Sequence, residues 1–535
     1  QERAYENLSP FEIKNKLIDI AQEKLTDPHE RQSAHMMLNA GRGNPNWIAT
    51  TPREAFFTLG QFGIAESKRI YDAPDLGGMP QKDGIADRFD AWAADHAAAP
   101  GLGFLQAAIA YGVETLGFEP EAFIYELTDS IIGDHYPVPD RMLQHTEQVV
   151  HAYLVQEMCA KRPPAGKYNL FAVEGGTAAM CYIFNSLMEN KLMHKGDTVA
   201  LGAPIFTPYI EIPQINDYQF KTIDLIPDEE DEWQYPASEL DKLRDPAVKA
   251  FFLVNPGNPA SYAIRPEALE RFAEFVKTER PDLIIITDDV YGTFVNGFRS
   301  LMAVLPENTI GVYSYSKYFG CTGWRLGVIA IHENNIFDQK IAQLPQSDRQ
   351  SLTERYSRIT LEPANLKLID RMVADSRQVA LNHTAGLSLP QQVQMVLFSM
   401  LSLMDNEDNY RQQTMAIIKK RIQALYDGMG IELKPSDIAA YYYRTLDFEL
   451  WMRKHYGEDL VNFVKANYEP VDIVFRLAEQ FSTVLLNGSG FDATEWSARV
   501  SLANLTDEAY EQIGKDLHAI AAQYVSEWEA AKKNS

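Results

Sequence analysis

SYSKYFGCTGWRLG, residues 314–327, lies between two short apolar runs, IGVYSYS (310–316) and RLGVIAI (325–331). Lys317 therefore falls just past the end of one predicted strand, with Ser314 three residues before it and Arg325 eight after it. Working outward, LFAV (170–173), TVALGAP (198–204), KTIDLI (221–226), AFFLVN (250–255) and LIIITDD (283–289) read as five further strands. Several lack in–out alternation and are rich in branched residues, the pattern of strands buried on both faces. RPEALERFAEFVKTER (265–280) is a helix between two of them, with Pro266 suited to a first turn. Strand, helix and strand in succession predict a seven-stranded, mostly parallel sheet with right-handed crossovers, an α/β fold.

The strand ends carry the chemistry, as expected where ligands bind in open α/β sheets. EGGTAAM (174–180) places Gly175, Gly176 and Thr177 where a strand gives way to a helix, a natural anion site. Arg325 offers a planar fork for a phosphate. NPGNPAS (255–261) and DDVY (288–291) add Asn258, Asp288 and Tyr291. A lysine, an acid and a phosphate cup in this order describe a pocket for pyridoxal 5'-phosphate (PLP): the amine bonds its aldehyde, and the acid keeps its ring nitrogen protonated. Tyr291 and Asn258 would donate to the ring's phenolic oxygen.

These motifs resemble the aspartate aminotransferase-like, fold type I family of PLP enzymes, and within it the aspartate 4-decarboxylase group. The superfamily likeness runs from about Leu38 to the C-terminus. It implies that Lys317 is the Schiff-base lysine and catalytic base, Asp288 the pyridinium partner, and Tyr291 and Asn258 the phenolate donors, Tyr291 counted with Lys317 as catalytic and Asn258 also as substrate-binding. Gly176, Thr177, Ser314 and Arg325 match the phosphate cup. Arg499, in WSARVSLANL, matches the arginine for the substrate α-carboxylate; Phe206, in GAPIFTPY, matches the aromatic stacked on the ring. Tyr136, in GDHYPVPDRM, matches a tyrosine lent to the partner subunit's phosphate. Gly41 and Arg42, in LNAGRGNPNW, match a glycine-containing loop over the active site, where Arg42 would contact or gate the leaving carboxylate. Gly175 departs from the pattern, since many relatives carry serine there. The Asn258–Pro259 bond is expected to be cis.

The resemblance implies β-decarboxylation of L-aspartate to L-alanine and CO2, with minor aspartate aminotransferase activity. A plain aminotransferase is the alternative; a non-enzymatic PLP-binding regulator is the remote one. It also implies a homodimer with shared active sites, associating into a dodecamer. The expected division is a helical arm with part of the small domain (1–125), a large PLP-binding domain with a helical insert near 335–380 (126–385), and a C-terminal small α/β domain (386–535).

Composition agrees. The net charge of −25 argues against nucleic acid or an anionic membrane as partner, so local arginines must attract an anionic substrate. Cys159, Cys181 and Cys321 form no CxxC, which suits a reducing cytoplasm. The 11 histidines include no HExxH, no metal site is expected, and no GxGxxG follows a strand. The N-terminal stretch, QERAYENLSPFEIKNKLIDIAQEK, is polar and helical in pattern, without an apolar signal core.

Overall fold

In the computed structural model, all seven predicted strands form one sheet: β1 (Tyr168–Val173), β2 (Thr198–Gly202), β3 (Lys221–Leu225), β4 (Val248–Val254), β5 (Ile284–Asp288), β6 (Thr309–Ser314) and β7 (Gly327–His332). Their spatial order is β1-β7-β6-β5-β4-β2-β3. Every pairing is parallel except the two made by β7. The structure describes residues 5, 8–26, 37–71, 73–215, 217–380 and 385–534. Most of the first seven residues of the predicted N-terminal helix lie outside that set; α1 spans Pro10–Thr26.

The continuous apolar runs are explained by a core on each side of the sheet. On β4, Phe251 and Leu253 join one cluster while Ala250, Phe252 and Val254 join the other; on β5, Ile285 opposes Ile284 and Ile286. Alternate side chains leave a strand on opposite faces, so two cores need apolar residues at every position. Between β4 and β5 lies α3 (Pro266–Glu279), with α2 (Gly176–Glu189) following β1. Pro266 opens α3, and Leu269, Phe272, Ala273 and Val276 are buried in the core shared with Phe251. Each large apolar side chain so buried contributes about 1.5–3 kcal/mol.

The helical insert expected near 335–380 is broken within QKIAQLPQSDRQSLTERYSRIT: α4 (Ile336–Gln343) stops before Pro345 and α5 (Gln346–Tyr356) starts after it. A proline inside a helix removes a hydrogen bond and clashes with the preceding turn.

A second sheet is small and antiparallel. Its strands are β8 (Tyr443–Asp447), β9 (Leu486–Asn487) and β10 (Ser497–Ser501), in the order β9-β10-β8. The chain's two ends meet beside it: Leu38 and Asn39 pair in parallel with Thr483 and Val484, and α1 packs on the helix Asp472–Phe481. This pairing brings the loop after Asn39 over the C-terminal ends of the large sheet's parallel strands.

Candidate active site

A cavity of about 270 Å³ opens where these parts meet. Ten of the predicted residues line it: Gly176, Thr177, Phe206, Asn258, Asp288, Tyr291, Ser314, Lys317, Arg325 and Arg499. Lys317 follows β6, and its Nζ donates to the Gly43 carbonyl at 3.2 Å. Asp288 ends β5 and is buried. Its Oδ2 accepts from Tyr209 Oη at 2.6 Å, and its Oδ1 from the Val290 amide at 3.1 Å. Burial pushes its carboxyl above the usual range, against these hydrogen bonds and the Lys317 charge.

The anion side is built from backbone and hydroxyls. Gly175 precedes α2 with φ 89°, and the amides of Gly176 and Thr177 open the helix, where no carbonyl can accept them within it. The Ser314 hydroxyl donates toward Ser316 Oγ at 3.0 Å. Among the described residues, Arg325 donates only to main-chain carbonyls, Thr322 at 3.1 Å and Glu174 at 3.3 Å. Gly175 leaves no room for a side chain. A Cβ on Gly175 would stand 2.4 Å from Arg325 Nη2, in a left-handed conformation that side chains rarely adopt.

Arg499, on β10, is 2 % exposed. It donates to Asn258 Oδ1 at 3.0 Å and to the Gly41 carbonyl at 3.1 Å, while its Nε is buried without a partner. Its guanidinium lies 4.2 Å from the Tyr443 ring centre and 4.7 Å from that of Phe491. Among the described residues, Lys317, Arg325 and Arg499 form no ion pair. A buried cation without a counter-charge is costly unless a ligand supplies one.

The Asn258–Pro259 bond is cis, as expected. Phe206 packs edge-on against Tyr209 and Phe11. Three predicted residues stand off the cavity wall. Gly41 acts through its carbonyl on Arg499. Arg42 is exposed, yet its charge, after burial, helps lower the pKa of Lys14 on α1. Tyr136 is 72 % exposed.

Sequence reading missed Tyr209, Tyr443, Ser316, Gly43, Asn44 and Phe11, all on the wall. Tyr443 is the most informative. Its hydroxyl accepts from Tyr291 Oη at 3.0 Å. Burial pushes it up, but the flanking cations Lys317 and Arg499 outweigh that and leave it below an ordinary tyrosine. Tyr291, beside it, is driven up by burial. The signal for Tyr443 was the YYY run at the head of β8, the strand paired with that of Arg499.

The donor set fits PLP: an amine, a buried carboxylate, a helix N-terminus with hydroxyls, and an arginine free of carboxylates. The aminotransferase class I and II family matches residues 171–517. A Pseudomonas protein named bifunctional aspartate aminotransferase and L-aspartate beta-decarboxylase is 47% identical over 99% of both chains. In fold, the chain is similar to N-succinyldiaminopimelate aminotransferase from Mycobacterium tuberculosis (TM-score 0.58, 17% identity, 97% and 98% of the two chains covered). It is likewise similar to Thermus thermophilus aspartate aminotransferase with maleate (TM-score 0.54, 15% identity, 94% and 96% covered).

Proposed function

The chain belongs to the class I and II aminotransferase family, and from that membership we propose that it removes the β-carboxylate of L-aspartate, using PLP, with a minor aspartate aminotransferase activity. L-Aspartate and a proton give L-alanine and CO2. Arg499, buried and free of carboxylates, is the observation that carries the reading; the full-length Pseudomonas relative carries the choice of reaction.

Bound PLP supplies an electron sink next to the substrate α-carbon. Lys317 would hold it covalently, Asp288 at the ring nitrogen, Tyr291 and Asn258 at the phenolic oxygen. Gly176, Thr177, Ser314 and Arg325 would take the phosphate, and Phe206 would cover a ring face. Arg499 would bind the α-carboxylate through the edge left free by Asn258 and Gly41. A carboxylate so anchored is not the one that leaves. Lys317 Nζ would take the α-proton. Tyr443, on the wall with Lys317 and Arg499, would be within reach to pass a proton at the same centre.

The β-carboxylate would meet Lys14 and Arg42, whose looser setting suits its loss. Tight ground-state pairing would oppose departure as neutral CO2.

The same reading divides the chain into residues 1–125, 126–385 and 386–535, supported by a large sheet confined to 168–332 and a small one to 443–501. It makes the protein a homodimer, assembling to a dodecamer, with exposed Tyr136 reaching the partner's phosphate site. Three free cysteines favour the cytoplasm; among the described residues no helix is long and apolar enough to cross a membrane.

Incubation of the holoenzyme with L-aspartate alone, without a keto acid, tests the reaction. Continuous, equal release of alanine and CO2 is expected. Oxaloacetate in a single stoichiometric burst, with no CO2, would leave a plain aminotransferase.

A further inference from the structure

Behind β8 lies a second and larger cavity, of about 410 Å³. That volume is ordinary for a small-molecule site. Trp233, Tyr426, Leu446, Phe448, Trp451 and Leu517 supply apolar wall. Most charges around it are satisfied. Glu230 pairs with Lys454 at 2.8 Å, Glu232 with Arg265 at 2.8 Å, and Asp447 accepts from the Leu450 amide at 2.8 Å. Glu432, Lys434 and His455 are exposed.

Two groups keep hydrogen-bonding capacity unused by the described residues, Arg444 buried and Glu229 partly so. Arg444 donates to Tyr262 Oη at 2.8 Å and lies over the Tyr426 ring at 5.4 Å, but its Nε is buried without a partner. Among the described residues it makes no ion pair. The Glu229 carboxylate has no hydrogen-bond or ion-pair partner among them either. Burial pushes it up to about 7. A guanidinium and a carboxylate share one cavity without forming an ion pair; each feels the other's charge, and each keeps hydrogen-bonding capacity for a ligand.

We infer that this cavity is an effector site for a zwitterionic amino acid with a large apolar side chain, its carboxylate on Arg444, its ammonium on Glu229 and its side chain against the aromatic wall.

The wiring to the substrate cavity is short. Tyr443 and Arg444 are neighbours on β8, so their side chains leave on opposite faces, one into each cavity. The Tyr443 amide donates to Ser261 Oγ at 2.9 Å, as Arg444 does to Tyr262. The same segment carries Asn258, which holds Arg499. A ligand drawing on Arg444 pulls on the two strands of chain that frame the α-carboxylate site.

The test is titration of the holoenzyme with L-phenylalanine, followed by calorimetry and tryptophan fluorescence, with succinate saturating the substrate cavity. One further equivalent per chain is expected. Glu229→Gln and Arg444→Met should each weaken it at least tenfold, as should replacing the probe by 3-phenylpropionate or phenethylamine. Occupancy should change KM for L-aspartate about fivefold, the low end of ordinary coupling between sites. No further equivalent overturns the site, whatever reaction the enzyme runs. Unchanged affinity in Glu229→Gln, which leaves the Arg444 contacts intact, overturns the zwitterion. Binding with KM unmoved overturns the effector role.

Discussion

Arg499 spends one guanidinium nitrogen on Asn258 Oδ1, at 3.0 Å, and meets no carboxylate among the described residues. Asn258 thereby fixes the direction in which the remaining edge faces. Arg499→Lys keeps the charge and loses the fork. We expect KM for L-aspartate to rise about 100-fold, the equivalent of roughly 2.8 kcal/mol at tenfold per 1.4 kcal/mol. Asn258→Ala should raise it less. Steady-state kinetics with unchanged KM would separate Arg499 from the α-carboxylate.

Gly175→Ser introduces a hydroxyl into a backbone at φ 89° and against Arg325. The strain costs about 1–3 kcal/mol. PLP should bind roughly ten- to a hundredfold more weakly by equilibrium dialysis. Equal or tighter binding would show that Arg325 moves aside freely.

Asp288→Asn removes a buried negative charge while keeping the shape. Turnover should fall by at least about 10²-fold, with PLP still retained through its phosphate. Absorbance of the bound cofactor and single-turnover rates read the two effects separately. Near-normal turnover would place the pyridinium partner elsewhere.

Lys14 has a lowered pKa, caused first by burial and then by Arg42 and Arg499. It therefore loses its proton at lower pH than a free lysine. If it helps bind the β-carboxylate, KM for L-aspartate rises as pH climbs through its titration. Arg42→Ala removes one depressing charge, so that rise moves to higher pH, and the ratio of alanine to keto acid changes. A KM profile and product ratio identical to wild type return both cations to the protein surface.

The sheet was legible because burial on both faces writes itself as unbroken apolar runs, as in IIITD of β5. Lys317, Asp288 and Arg325 were legible because each sits beside such a run in a fixed order. Tyr209 and Tyr443 were not. Tyr209 reaches Asp288 from 79 residues away and Tyr443 reaches Tyr291 from 152, and no local pattern encodes either meeting. The break at Pro345, inside the helical insert expected near 335–380, is carried by a single proline in an otherwise polar helical pattern.

The bond from Arg499 to the Gly41 carbonyl joins residues 458 positions apart. Loop closure on that scale comes late, because the entropy of ordering the chain between is spent before the contact returns anything. During synthesis, Gly41 leaves the ribosome long before its partner exists. Lys317 is made in the interval, with nothing yet to cover it from the far end. A nascent or truncated chain can thus complete its large sheet and still be inert, and competence arrives only with the last strand.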